Sequence, residues 1–259
     1  MKRILLAGIA ALAIAAPAQA ADLPTKGPAV YAPALFNWSG FYIGGYVGGA
    51  WTGNVTASDL FSQGGVFPVG TPYNISVPYS YSLSNSFIGG LTAGVNWQAP
   101  GASLVLGIEG EVGWLRLRGS RADPLSPGLD TVSTTTIGNW YGVIAGRLGF
   151  AMDRALLYGK AGVVIVNVSG STIDACVVGA CGVGLITATG NDTKFNWVGG
   201  LGLEWAFTNK LSLKAEYLYL AIGGNVRVCG LGPAGSTFCG THSLPNGVHT
   251  AKVGLNWRM

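Results

Sequence analysis

Charge is scarce in this chain: Asp, Glu, Lys and Arg together make up 10% of its 259 residues. Without Lys2 and Arg3, thirteen bases stand against eleven acids, which is no basic footprint for nucleic acid. Histidine is scarcer still. His242 and His249 are the two, and both read as solvent-exposed loop residues. His242 adjoins Ser243, but adjacent side chains project apart on an extended chain. Even with a loop acid such as Asp192, no nucleophile motif accompanies them, so the chain is read as not an enzyme. The four cysteines form two local pairs, Cys176 with Cys181 and Cys229 with Cys239, in segments that do not read as strands. Neither pair has zinc spacing, and in an oxidising compartment each closes a loop. The sequence asks for no metal and no cofactor. A long apolar run is also missing. Past the first sixteen residues nothing approaches the ~20 needed for a spanning helix, although mean hydropathy is +0.41.

That front end is informative. Lys2 and Arg3 precede an apolar run from Ile4 to Ala16 and then Pro17-Ala18-Gln19-Ala20, the layout of a secretory signal peptide over 1–20. Residues 21–37, with Pro24, Pro28 and Pro33, read as a flexible periplasmic leader, and 38–259 as the folded domain.

The domain is dominated by alternation among forty-two glycines. The clearest case runs from Phe195 to Leu220. Phe195, Trp197, Leu201, Leu203, Trp205 and Phe207 share one parity, with Asn196, Gly200, Gly202 and Glu204 on the other. After Thr208-Asn209-Lys210, Leu211, Leu213, Ala215, Tyr217 and Tyr219 alternate with Ser212, Lys214 and Glu216. Period-two alternation on both sides of a tight polar turn is a β-hairpin. Each arm matches the ~9–11 residues of a tilted membrane strand, and aromatics at the ends of the apolar face point to lipid. Six further strands read the same way, at 41–51, 87–97, 104–116, 139–151, 156–168 and 248–259. Long segments (52–86, 119–138, 169–194, 223–247) alternate with short turns. A hydrophobic chain without spanning helices satisfies its backbone by closing a barrel. The expected fold is all-β: an eight-stranded antiparallel transmembrane β-barrel with short periplasmic turns and four long extracellular loops.

Asn37-Trp38-Ser39-Gly40-Phe41-Tyr42-Ile43-Gly44-Gly45, Leu213-Lys214-Ala215-Glu216-Tyr217 and Ala251-Lys252-Val253-Gly254-Leu255-Asn256-Trp257-Arg258 resemble the small porin-like, OmpA-type outer-membrane barrels of alphaproteobacteria, a family of abundant surface antigens. The resemblance implies an outer-membrane location, lipid and lipopolysaccharide as surroundings, and a C-terminal strand read by the barrel-insertion machinery. Family members commonly end in Phe, whereas this chain ends in Met259. With the chain stopping at strand eight, no peptidoglycan-binding domain is expected after it.

Charges inside the strands fall on the inward parity: Glu109, Glu111, Glu204 and Glu216 with Arg147, Lys160, Lys214, Lys252 and Arg258. An eight-stranded lumen is just wide enough for side chains to fill, and unpaired charge there is costly, so an ion-pair network is expected. Its plain role is a structural plug, and its sharper one a gated pore. Arg116 and Arg118 depart from the apolar-out rule at the upper rim of strand three. With Arg121 they suit lipopolysaccharide phosphates, while a β-bulge or a wet loop base accounts for them equally well. The function expected first is structural support and surface display. A narrow channel for ions or small solutes is the second expectation. The third is an adhesin or haemin-binding surface acting through the loops, since some relatives of the resembled family bind haemin.

Overall fold

The computed structural model describes residues 36–62, 78–124, 131–175, 184–232, 235 and 237–259. The expected signal peptide and the leader up to residue 35 lie outside the described residues. So do Cys176 and Cys181, on which one of the two expected disulfides falls.

Among the described residues, twelve strands make one antiparallel sheet: β1 (Gly40–Thr52), β2 (Asn54–Ser62), β3 (Tyr79–Ser82), β4 (Ser86–Gln98), β5 (Leu104–Ala122), β6 (Thr131–Met152), β7 (Ala155–Asp174), β8 (Ile186–Ala206), β9 (Leu211–Ala221), β10 (Asn225–Leu231), β11 (Thr237–Ser243) and β12 (Gly247–Arg258). Eight of them close a ring in the order β1-β4-β5-β6-β7-β8-β9-β12. First strand meets last, with Tyr42 opposite Arg258 and Val47 opposite Val253. A closed ring leaves no free edge, which is how a sheet satisfies its backbone in hydrocarbon.

The remaining four strands continue the ring past its rim. β2 follows β1 after Gly53, β3 leads into β4, β10 follows β9, and β11 leads into β12. They pair in the same order, β3-β2-β11-β10, and β10 bridges to β8. On the far side, Ser84 N donates to Arg118 O at 2.9 Å and Arg121 Nη1 to Ser80 O at 2.6 Å, tying β3 to β5. β5 to β8 run unbroken for 19, 22, 20 and 21 residues. A tilted span needs only ~9–11, so about half of each strand stands clear of the membrane.

These strands occupy much of what reads as long loops. β5 and β6 take up most of 119–138, β7 and β8 most of 169–194, β2 and β3 parts of 52–86, and β10 and β11 most of 223–247. The physical reason is an inversion of pattern within one strand. In the lower part of β5, Ile108 and Val112 face out while Glu109 and Glu111 are buried inside. Above Trp114 the order flips: Arg116 and Arg118 face out, and Leu115 and Leu117 are buried. The lower half has lipid outside and the upper half has water outside, so apolar residues move to the interior.

Short turns close the other end. Residues 99–103 join β4 to β5 with Gly101 at φ +76°, Asp153-Arg154 join β6 to β7, and 207–210 join β8 to β9. In the last, Thr208 Oγ1 accepts from the backbone N–H of Lys210 and Leu211. Two aromatic belts bound the outward apolar face. Trp97, Trp205, Trp257, Phe41 and Phe150 ring the short-turn side, and Trp51, Phe87, Trp114, Trp140 and Trp197 the other. Phe87 and Trp97 both lie on β4, ten residues apart. That is about 34 Å of strand and, at a tilt near 40°, about 26 Å of height, which matches the ~25 Å apolar band of outer-membrane barrels.

Candidate functional site

The lumen is the only interior the ring encloses, and its contents change in four layers from the short-turn end upward. The first is a cap. Trp38, fully buried, donates from its backbone N to Gln98 Oε1 at 2.7 Å and from Nε1 to Asp153 O at 3.1 Å. Phe36 N donates to Asp153 Oδ1 at 3.1 Å. The Arg258 guanidinium lies 4.7 Å from the Phe36 ring centre and 5.1 Å from that of Trp38, and its Nη2 donates to Asn37 O at 2.6 Å. Val105, Leu156 and Tyr158 pack above Trp38. Phe36 and Asn37, expected in the flexible leader, are thus tied to the mouth.

The second layer is charged. Glu109 accepts from Lys160 Nζ at 2.6 Å, Lys214 Nζ at 3.2 Å, Arg147 Nη1 at 3.2 Å and the Tyr42 hydroxyl at 2.5 Å. Glu111 holds Lys160 and, at 2.7 Å, Lys252. Lys252 also reaches Glu216 at 2.7 Å, which takes the Tyr158 hydroxyl at 3.0 Å. Arg147 Nη2 donates to Glu204 at 2.7 Å, and Ser212 and Asn256 complete that carboxylate at 2.5 and 2.9 Å. Four acids meet four bases, so the layer is formally neutral. This matters because an uncompensated buried charge costs several kcal/mol, about 3–5 when one partner is removed. Glycines opposite make the room: a Cβ at Gly94 would overlap the Tyr42 phenol, and one at Gly202 the Tyr158 ring.

Eight of the nine expected lumen charges therefore come together, and Arg258 does not. It sits at the end of β12 beside the cap and forms no ion pair among the described residues. Carboxylate oxygens of Glu109, Glu111 and Glu216 lie within 4.8 Å of one another, close enough to share a cation. Lys160 Nζ contacts all three and already supplies that positive charge.

The third layer is apolar. Ile88, Leu115, Leu117, Ile137, Val164, Val166, Val168, Val198, Leu218, Leu220 and Val248 are fully buried together across the upper lumen. Above them a chain of hydroxyls crosses the bore. Tyr79 Oη donates to Ser133 Oγ at 2.9 Å, Ser133 meets Thr172 Oγ1 at 2.8 Å, and Thr172 meets His242 Nε2 at 3.0 Å. His242 Nδ1 then meets Thr135 Oγ1 at 2.7 Å, and Thr135 meets the Tyr81 hydroxyl at 2.7 Å. Burial pushes the His242 imidazole down to about 4.

His242 is therefore not the exposed loop residue its polar neighbourhood suggests, because β11 turns it into the upper lumen. His249 lies outward on β12 in the upper aromatic belt, with Nδ1 2.6 Å from the Tyr217 hydroxyl and its ring stacked 5.9 Å from Trp51. Cys229 and Cys239 are bonded, but across the paired strands β10 and β11 rather than in an unstructured loop. That bond does not involve Cys176 or Cys181. It is the only disulfide among the described residues, and the bond expected between Cys176 and Cys181 lies outside them. Arg116 and Arg118 are exposed on the outward face of β5. Arg121 falls on the opposite parity and is bound to Ser80 O. The phenols of Tyr42, Tyr46, Tyr141 and Tyr158 were the lumen groups least prominent in the sequence. Their inward parity was the available signal, and Tyr46 and Tyr141 meet hydroxyl to hydroxyl at 2.6 Å.

The family model described as "Outer membrane protein beta-barrel domain" matches residues 5–258. The chain is 32% identical to the 31 kDa outer-membrane immunogenic protein of Brucella melitensis biotype 1, over 100% of both chains. It is 29% identical to the 22 kDa outer membrane protein of Rhizobium leguminosarum bv. viciae, over 71% of this chain and 64% of that one. Among solved structures, the outer membrane protein OprG from Pseudomonas aeruginosa aligns at 11% identity with a TM-score of 0.48, covering 86% of this chain and 98% of that one.

Proposed function

Given that this chain belongs to the outer-membrane β-barrel family and resides in the outer membrane, we propose that it is a sealed, non-conducting barrel that displays a rigid tier at the cell surface. The observation that carries this is the succession of fillings along the bore. A charged layer alone could exchange ion-pair partners and pass ions. In the close-packed apolar layer stacked on it, the buried hydroxyls are engaged by protein, Thr250 by Leu218 O at 3.2 Å and Tyr46 and Tyr141 by each other, which leaves no polar file for water, and the Trp38 cap lies beneath. Each barrier would have to open for a solute to pass.

Display follows from the same packing. The hydroxyl chain and the Cys229–Cys239 bond fasten the upper strands to one another, so the tier holds its form above the membrane. The Brucella relatives are named as immunogenic outer-membrane proteins, which fits a surface that antibodies reach. Haemin capture through loop histidines loses support, because His242 is enclosed and His249 is engaged by Tyr217.

Planar-bilayer recording tests the proposal. The purified barrel should give no stable openings in 1 M KCl. Stable openings whose size changes in Glu109→Gln would establish the channel reading in its place.

A further inference from the structure

Outside the lumen, the outward face of β5 to β8 just above the upper aromatic belt is built differently from the rest of the rim. Arg116 and Arg118 stand on it, two and four residues beyond Trp114, or about 7 and 14 Å along the strand. Neither enters an ion pair among the described residues, whereas the charged groups of the lumen below are all paired apart from Arg258. The adjoining strand is deformed. β6 bulges between Ile137 and Tyr141 against β7, with Gly138 at φ +111° and Asn139 at φ +77°. Asn is among the few non-glycine residues that take positive φ, and Asn139 is exposed next to Gly138, the register partner of Arg116. Trp140, the next residue, is exposed like Trp114. A polar register then crosses the sheet at one level, Arg118 with Thr136, Thr136 with Ser169, and Ser169 with Asn191; Thr136 is buried, Ser169 half-buried and Asn191 exposed.

We propose that this face is a docking site for the phosphorylated saccharide headgroup of an outer-leaflet glycolipid. Three features select that occupant. Two guanidiniums without an ion pair among the described residues offer forked donors that suit phosphate. The exposed Asn139 and Asn191 amides and the half-buried Ser169 hydroxyl beside them suit sugar hydroxyls rather than a protein's apolar side chains. Trp114 and Trp140 fix the depth at which headgroups begin, with the aliphatic outward residues Val112 and Ile144 below for acyl chains. Arg121 takes no part, since it faces the other way and is bound to Ser80 O.

The test uses the full mature barrel in detergent, with native mass spectrometry and titration of tryptophan emission as readouts. The probes are bisphosphorylated lipid A, the same lipid with its phosphates removed, and phosphatidylglycerol. The wild-type protein should retain bisphosphorylated lipid A at one per chain and lose at least tenfold in affinity when the phosphates are removed. Phosphatidylglycerol should compete at least tenfold less well. R116A/R118A should lose at least tenfold for bisphosphorylated lipid A, and R121A should bind as the wild type does. Heat-modifiable migration checks that each variant is folded. Should the double alanine variant not fold, R116Q/R118Q and the dephosphorylated probe on the wild type carry the same comparison. Equal binding of lipid A with and without phosphate, equal competition by phosphatidylglycerol, or undiminished binding by the folded double variant overturns the assignment.

Discussion

Arg147 is the group whose removal should disturb the barrel most. Its Nη1 lies 2.6 Å from the Tyr42 hydroxyl and 3.2 Å from Glu109, its Nη2 2.7 Å from Glu204, and its guanidinium 3.9 Å from the centre of the Tyr158 ring. At an effective dielectric near 20, each carboxylate contact is worth on the order of 5 kcal/mol before desolvation is set against it. Most of that gross attraction only offsets what burial costs. The loss on removal comes from the carboxylates left behind in a layer that is neutral with Arg147 and carries a net negative charge without it. Arg147→Met, which keeps much of the volume, should therefore destabilise the barrel by about 3–5 kcal/mol. The compensating change is Glu204→Gln, since Glu204 is the carboxylate at 2.7 Å. With neutrality restored, R147M/E204Q should be at least about 1 kcal/mol more stable than the sum of the single losses, a coupling expected for residues in direct contact. Urea titration of the barrel in lipid vesicles, followed by tryptophan emission and heat-modifiable migration, measures all three. A cost below about 1 kcal/mol for R147M, or strict additivity in the double variant, would refute the idea that charge balance organises this layer.

Two further outcomes follow from the ends of the bore. His242 is held well below the ordinary histidine value of about 6.5. Its neutral form is the one the fold favours, so stability is complete above pH 6.5 and is lost as pH falls toward 4, by at most about 3 kcal/mol. Protease sensitivity of the β10–β11 hairpin should rise over that window in the wild type and stay flat in His242→Phe. At the other end, Trp38→Ala should cost about 3–5 kcal/mol as a large-to-small change in a fully buried site. Urea titration should register that loss, and a cost under about 1 kcal/mol would mean the cap is not packed.

Much of this fold was legible in the sequence, and the boundary of legibility is physical. Membrane strands were readable because lipid outside and charge inside impose one parity rule, as with Ile108, Val112 and Val253 against Glu109, Glu111 and Lys252. Above Trp114 and Trp140 the rule reverses, and Leu117, Ile137 and Val168 look like breaks in a pattern when they are its continuation. Arg116 and Arg118, which depart from the apolar-out rule, obey the reversed one. β10 and β11 were hidden for a different reason: at seven residues each, with Gly and Cys among them, they show too little alternation to declare themselves. Within the lumen, parity placed the charges inside but could not pair them. Pairing depends on strand register and shear, which bring Glu109 to Lys214 across 105 positions and leave Arg258 at the mouth. The enclosure of His242 depends likewise on β11 joining the sheet.

The ammonium groups of the lumen lysines report most directly on the proposed seal between the Trp38 cap and the His242 hydroxyl chain. In proton–nitrogen spectra of the folded barrel in micelles at pH 7, Lys160, Lys214 and Lys252 should give three protected ammonium signals that persist where exposed Lys210 exchanges away. Rapid loss of all three signals to bulk water would mean an open, hydrated lumen and would contradict the account.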